Sequence, residues 1–279
     1  MKKACVIGWP ISHSRSPLIH NYWLKLYGIA GDYLRVPVEA GALDQFIAGL
    51  PESEYRGCNV TIPHKERAWQ LVAPADEMTK RLGSVNTIYH RDGRLLGTST
   101  DGEGFIANLA ANAGNLKLKN EKALVLGAGG AAMAIVGALL DRGLAEIAVA
   151  NRTLERSDQL RARFGSAVKP EPWENRDEAV SESALLVNAT ALGMVGQPPL
   201  HIDLARLPAA AIVADIVYSP LQTPLLAAAA KRGNATVGGL GMLLHQAVRG
   251  FELWFGRRPE VTQDIHDLVA RDIDPGYQR

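Results

Sequence analysis

The chain has 279 residues, 47% hydrophobic and 21% charged, a length beyond the usual single core of about 100 to 200 residues, so two globular domains are expected and a disordered chain is excluded. Its 30 basic and 29 acidic residues leave a formal net charge of +1, which gives no electrostatic footprint for nucleic acid or a membrane surface. The start MKKACVIGWP resembles a signal peptide only until Gly8, Trp9 and Pro10 end its apolar run, and no run approaches the ~20 residues of a membrane helix, so a cytoplasmic protein is expected.

From residue 1 to about 100, short apolar runs alternate with helical patterns. KACVIG reads as a strand, 17–28 as a helix, DYLRVPV as a strand, 42–49 as a helix, GCNVTI as a strand and 64–72 as a helix; SVNTIYH and RLLGTS then form a hairpin across Asp92-Gly93. This is a mixed sheet with helices on its faces. Cys5 and Cys58 fall in strand-like runs without metal-ligand spacing and read as reduced core residues. From about 122 the order becomes strand then helix: KALVLG, 130–141, EIAVAN, 153–164, LLVNAT, AIVADIVY, 223–232 and ATVGG. Repeated βα units imply right-handed crossovers and a parallel sheet. Stretches 167–180 and 193–203 read as polar or Pro-rich loops, and two final helices, 241–255 and 261–271, lie outside the βα rhythm.

GCNVTIPHKE, residues 57–66, poses the first chemical question. Its β-branched run ends at Pro63, and Lys65 then opens a helical pattern, where the positive end of the macrodipole disfavours a cation. The lysine therefore has no local structural reason to be there, and its bland alternative is a surface ion pair worth about 0 to 1 kcal/mol.

KALVLGAGGAAMAIVGALL carries Gly127, Gly129 and Ala132 in the order G-x-G-x-x-A between a buried strand and an apolar helix, the context that makes this pattern a dinucleotide fingerprint. Gly127 permits the tight turn, Gly129 lets backbone approach a pyrophosphate, and Ala132 lets helix and strand pack closely. The alternative is a tight turn with no ligand. After the next strand, where an acid usually reads the ribose of NAD, stand Asn151, Arg152 and Thr153 with no preceding carboxylate. A guanidinium binds a 2′-phosphate that an acid would repel, so NADP is the expected cofactor; the competing reading makes Arg152 and Arg156 a solvated helix start with Thr153 as its N-cap. A second cluster, VGGLGMLLHQA, places Leu244 where the fingerprint needs Gly or Ala and reads as a close-approach loop.

Polar residues also gather in ISHSRSP, NVTIPHK, SVNT and TSTDGEGF. Singly they have structural readings: Ser16 before Pro17 as an N-cap, or Thr100 and Glu103 as a capping box with Asp101 in a first helical turn. Read in order, GWPISHSRSPLIHN, NVTIPHKE, SVNT, STDGEGF, VLGAGGA, ANRT, NATALGM, DIVYSPLQTPLL and GLGMLLHQA run through nearly the whole chain and resemble the shikimate dehydrogenase family. That resemblance implies NADPH-dependent reduction of 3-dehydroshikimate to shikimate by a monomer or homodimer. It implies an α/β fold of two domains: a mixed-sheet substrate domain from 1–102 and 240–279, and an inserted Rossmann NADP domain from 103–239. The cleft between them is the expected site.

Carried over by position, Ser14 and Ser16 bind the substrate carboxylate, aided by Tyr218, while Asn59, Thr61, Asn86 and Gln246 hold ring hydroxyls. Lys65 and Asp101 form the catalytic pair, also touching substrate. Gly127, Ala128, Gly129, Gly130, Ala131, Asn151, Arg152, Thr153, Arg156, Thr190 and Ile216 hold NADP, with Gly239 against the nicotinamide; no metal is implied. Ser99 stands where the family usually has Asn in N-T-D-G. Two other classes stay open, a quinate or broad quinate/shikimate dehydrogenase using NAD and a non-catalytic ligand-binding regulator; Arg152 speaks against the first, and Lys65 with Asp101 against the second.

Overall fold

A computed structural model describes residues 1–114 and 117–278, and the chain in it forms two units. The first joins Met1–Thr100 to Leu244–Val269, and the second joins Asp101–Leu243 to the stretch from Ala270 on. The expected breaks after 102 and before 240 compare with breaks after Thr100 and Leu243, and the stretch from Ala270 on groups with the second unit instead of the first.

The first unit is built on strands β1 (Lys2–Gly8), β2 (Gly31–Pro37), β3 (Tyr55–Val60), β4 (Ala73–Pro74), β5 (Thr87–Arg91) and β6 (Arg94–Thr98), in the order β2-β1-β3-β5-β6-β4. It is mixed, as expected: β1 runs parallel to β2 and β3, whereas β5 is antiparallel to both β3 and β6. Asp92 and Gly93 turn the hairpin with φ of 52° and 73°, the paired positive values of a type I′ turn. One face carries Cys5, Ile7, Leu43, Ile47, Cys58, Val60 and Ile88 in a single core, and both cysteines are free and buried. Trp254, from the chain's last third, donates from Nε1 to the Ile88 carbonyl at 2.9 Å.

Three local expectations change. GCNVTI ends as a strand at Val60, leaving Thr61 and Ile62 in the following turn. Ser16 is the first residue of the helix Ser16–Leu26, whose N-cap is Arg15; Ser14 Oγ accepts from the Ser16 N–H at 3.3 Å. A short helix, Glu77–Leu82, was not anticipated, although Asp76 caps it by accepting from the Thr79 N–H at 2.6 Å and Gly83 ends it with φ of 61°.

The second unit holds a parallel sheet of β7 (Lys122–Leu126), β8 (Glu146–Asn151), β9 (Val168–Pro172), β10 (Leu185–Asn188), β11 (Ile212–Asp215) and β12 (Ala235–Val237), in the order β12-β11-β10-β7-β8-β9. The order runs outward in both directions from the β7/β10 pair, which is the Rossmann topology with its switch point between those strands. Leu124, Leu126, Leu186 and Val213 anchor its core. Part of the expected loop 167–180 is the strand β9. Pro170 and Pro172 disguise it, and they are tolerated because β9 is an edge strand paired only with β8. The expected Gly239 loop is the first turn of the helix Gly239–Phe255. Among the described residues, no helix is long and apolar enough to cross a membrane.

Candidate active site

In the first unit β1 and β3 run parallel and β5 antiparallel, so the residues after β1 and β3, those before β5 and those after β6 meet at one end of the sheet. Lys65 opens the helix Lys65–Leu71 there, half-buried. The turn before it is pinned: His64 N–H donates to the Thr61 carbonyl at 2.9 Å, His64 Nε2 bonds the Val38 carbonyl at 2.7 Å, and Val85 N–H donates to the Lys65 carbonyl at 3.0 Å. Thr61 N–H donates to the Ile7 carbonyl at 3.0 Å, fixing Thr61 beside the end of β1.

Asn86 is 6% exposed. Its Oδ1 accepts from the Thr100 N–H at 3.0 Å and the Thr87 hydroxyl at 2.9 Å, and its Nδ2 donates to Thr100 Oγ1 at 3.0 Å. Asn86 thus fixes the residue that precedes Asp101, and the capping-box hydroxyl of Thr100 is engaged by this amide. The main chain of Ser99 is held as well, its N–H donating to Thr79 Oγ1 at 3.3 Å. Both Asn59 Nδ2 hydrogens are used inside the protein, on the Asn86 carbonyl at 3.0 Å and Thr87 Oγ1 at 3.1 Å. Ser14 and Ser16 are half-buried at the start of their helix, and Arg35 braces the Ser14 carbonyl through Nε at 2.9 Å and Nη2 at 2.6 Å. Gln246 is half-buried on the helix Gly239–Phe255.

In the second unit a cavity of about 300 Å³ opens at the switch point, lined among others by Gly127, Ala128, Gly129, Asn151, Arg152 and Thr190. Gly127 has φ of 101°, and a Cβ there would lie 2.9 Å from Thr190 Cγ2, so a side chain is excluded twice over. Gly129 and Gly130 face open space instead, where the helix Gly130–Asp141 presents unpaired backbone N–H groups to an anion. Ala131 follows half-buried, and Ala132 is fully buried, as close helix packing requires. Thr153 occupies the N-cap position of the helix Leu154–Phe164 without a side-chain cap bond; its carbonyl accepts from Asn151 Nδ2 at 2.7 Å. Arg156, exposed on that helix, is not part of the cavity wall.

Asp101, 5% exposed, begins the helix Asp101–Asn112, where the macrodipole favours a carboxylate. Tyr218 is half-buried just beyond β11. Ile216 and Gly239 meet, since a Cβ at 239 would overlap the Ile216 carbonyl. Sequence reading missed Trp173 and Gln197 on the cavity wall and Asp215 beneath the loops. Trp173 stands at the end of the unanticipated strand β9, and Asp215 is a lone acid in an apolar run, so neither carried a recognisable signal.

A glycine loop at a parallel-sheet switch point, with an arginine beyond the neighbouring strand, defines the class: a two-domain dinucleotide-dependent oxidoreductase. Family models agree in detail, matching residues 6–88 as a shikimate dehydrogenase substrate binding domain, 108–195 as shikimate / quinate 5-dehydrogenase and 239–265 as a shikimate 5'-dehydrogenase C-terminal domain. The chain belongs to the shikimate dehydrogenase family. The shikimate dehydrogenase (NADP(+)) of Nitrobacter hamburgensis is 53% identical over 272 residues, covering 98% of this chain and 95% of its own. Shikimate 5-dehydrogenase from Thermus thermophilus, solved in complex with NADP(H) and shikimate, superposes with a TM-score of 0.85 at 35% identity over 98% of this chain and 100% of that one. Quinate dehydrogenase from Corynebacterium glutamicum in complex with NAD gives 0.88 at 28% identity over 96% and 99%.

Proposed function

We propose that the protein catalyses the reversible NADPH-dependent reduction of 3-dehydroshikimate to shikimate, a step of aromatic amino acid biosynthesis. The observation that carries this reading within the family is the single cavity shared by Arg152 and the open glycine loop. The space at Gly129 and Gly130 suits a pyrophosphate on the helix N-terminus, and the guanidinium suits a 2′-phosphate. Gly127 to Ala131, Asn151, Arg152, Thr153, Arg156, Thr190, Ile216 and Gly239 hold NADP in this account. The first unit is then the substrate domain and the second the NADP domain of a cytoplasmic monomer or homodimer.

The bound cofactor supplies the hydride, and this chain's residues manage the charge and the proton. Reduction of a ketone builds negative charge on oxygen; Lys65 beside that oxygen stabilises the charge and donates the proton from Nζ. Asp101 is the other member of the catalytic pair in this reading. Ser14, Ser16 and Tyr218 bind the substrate carboxylate, and Thr61, Asn86 and Gln246 hold the ring hydroxyls, with Asn59 supporting them. Turnover of shikimate and of quinate by the purified protein with NADP tests the reading. Shikimate is expected to be strongly preferred. A preference for quinate would install the second reading, which the similarity to the quinate enzyme favours, and turnover of neither would leave a ligand-binding paralogue.

A further inference from the structure

Tyr33 lies in β2, the edge strand of the first unit's sheet, yet it is only 1% exposed. Asn21 closes the strand edge around it, accepting from the Tyr33 N–H at 2.9 Å and donating to its carbonyl at 3.0 Å. The phenol ring stacks on His20 with centroids 4.1 Å apart and planes 11° from parallel. His20 is fully buried, and burial pushes its pKa down to about 3, so its ring is neutral. A phenylalanine would keep this stack. The hydroxyl therefore needs its own explanation.

That hydroxyl donates to Asn59 Oδ1 at 2.5 Å. Asn59 Nδ2 donates to Thr87 Oγ1 at 3.1 Å, and the Thr87 hydroxyl donates to Asn86 Oδ1 at 2.9 Å. Every link has a definite direction, because each hydroxyl hydrogen in the series is already spent on an amide oxygen. Main-chain groups fix which end of each amide is oxygen, the Asn86 carbonyl for Asn59 and the Thr100 N–H for Asn86, and such ordered networks strengthen their members. Without the phenolic O–H, Asn59 Oδ1 loses its donor, and the series that ends on Asn86 Oδ1 loses its first member.

We propose that Tyr33 is a positioning residue for the substrate: through Asn59 and Thr87 its hydroxyl braces the amide of Asn86, which the Thr100 N–H holds from the other side. This rests on the substrate role proposed above for Asn86. A fixed donor and acceptor pattern is what lets a site discriminate among polyhydroxylated rings, since a mismatched ring leaves buried polar groups unpaired.

Steady-state kinetics on three variants test it. Tyr33→Phe keeps the stacked ring and should raise KM for shikimate about 5- to 10-fold, the effect of one buried hydrogen bond, with KM for NADP within about twofold of wild type. Thr87→Val, which breaks the third link, should reproduce that loss, and Thr87→Ser, which keeps the hydroxyl, should not. An unchanged shikimate KM in folded Tyr33→Phe would overturn the proposal. So would the reverse Thr87 pattern, Val tolerated and Ser impaired, which marks a packing role; should Tyr33→Phe not fold, the Thr87 pair decides. If wild type fails to turn over shikimate, the functional reading fails separately, and side-chain amide NMR signals of Asn59 and Asn86 in Tyr33→Phe decide this one: shifted signals support it and unshifted signals end it.

Discussion

Asp215 Oδ1 accepts a hydrogen bond from Asn188 Nδ2 at 2.9 Å, joining the ends of β11 and β10. The same carboxylate accepts from the Val217 N–H at 3.0 Å and the Thr223 hydroxyl at 2.7 Å, while Asn188 Oδ1 accepts from the Thr190 hydroxyl at 2.7 Å. One buried acid thus organises the loops that carry Thr190 and Ile216. Burial outweighs its three donors and raises its pKa from 3.8 to about 6.

Because the folded pKa lies above the unfolded one, the folded state binds more protons between those values. The associated stabilisation is complete below the unfolded pKa and is lost as pH rises through the folded one. Wild type should therefore lose roughly 2 to 3 kcal/mol relative to Asp215→Asn between about pH 4 and about pH 7. Urea denaturation across that range checks it, and a pH-independent difference between the two proteins would contradict it.

Arg152→Ala should weaken NADP binding far more than NAD binding, because the lost charge-assisted contact exists only with the 2′-phosphate. Such contacts are worth about 1.5 to 3 kcal/mol, or roughly 10- to 150-fold in Kd. Arg156→Ala should have a smaller effect, given its place off the cavity wall. Titration calorimetry with both cofactors reads this, and equal losses for the two would reject the role.

Phe251 is fully buried and contacts the rings of Trp23 and Phe255 at centroid distances of 5.5 and 4.8 Å. Phe251→Ala should destabilise the protein by about 3 to 5 kcal/mol through lost burial and a residual cavity. A loss below about 1 kcal/mol in chemical denaturation would mean that the aromatic cluster repacks freely.

Much of this was legible because several positions allow few solutions. Gly127 and Ala132 mark the βα turn by what cannot fit there, and Asp92-Gly93 marks a hairpin by its positive φ values. β9 escaped because its prolines oppose strand structure everywhere except at a sheet edge, a tertiary fact. The helix Glu77–Leu82 escaped by brevity, though Asp76 and Gly83 were readable caps. The hydrogen bonds of Tyr33 and Asn59 were hidden for another reason: they link residues 26 to 28 positions apart in sequence, a pairing that no local pattern encodes.

If Lys65 donates the proton in the transition state, Lys65→Ala should lower kcat by about 10²- to 10⁴-fold, the range of a positioned acid or base. KM for shikimate should change less, since the contacts proposed for Ser14, Ser16 and Thr61 would still bind the ground state. Asp101→Asn keeps the shape, removes the charge and should also lose rate. If the two act as a unit, the double variant should be little worse than the worse single one. Kinetics on the four proteins, with circular dichroism to confirm folding, decide it; near-normal kcat in Lys65→Ala would return this lysine to a structural role.

The most direct test is the initial rate of shikimate oxidation by the wild-type protein with NADP and with NAD, followed by the absorbance of the reduced nicotinamide. Ready turnover with NADP is expected, with a kcat/KM for NADP at least about 10-fold above that for NAD, the lower bound set by one charge-assisted contact. No turnover, or an equal or greater kcat/KM with NAD, would contradict it.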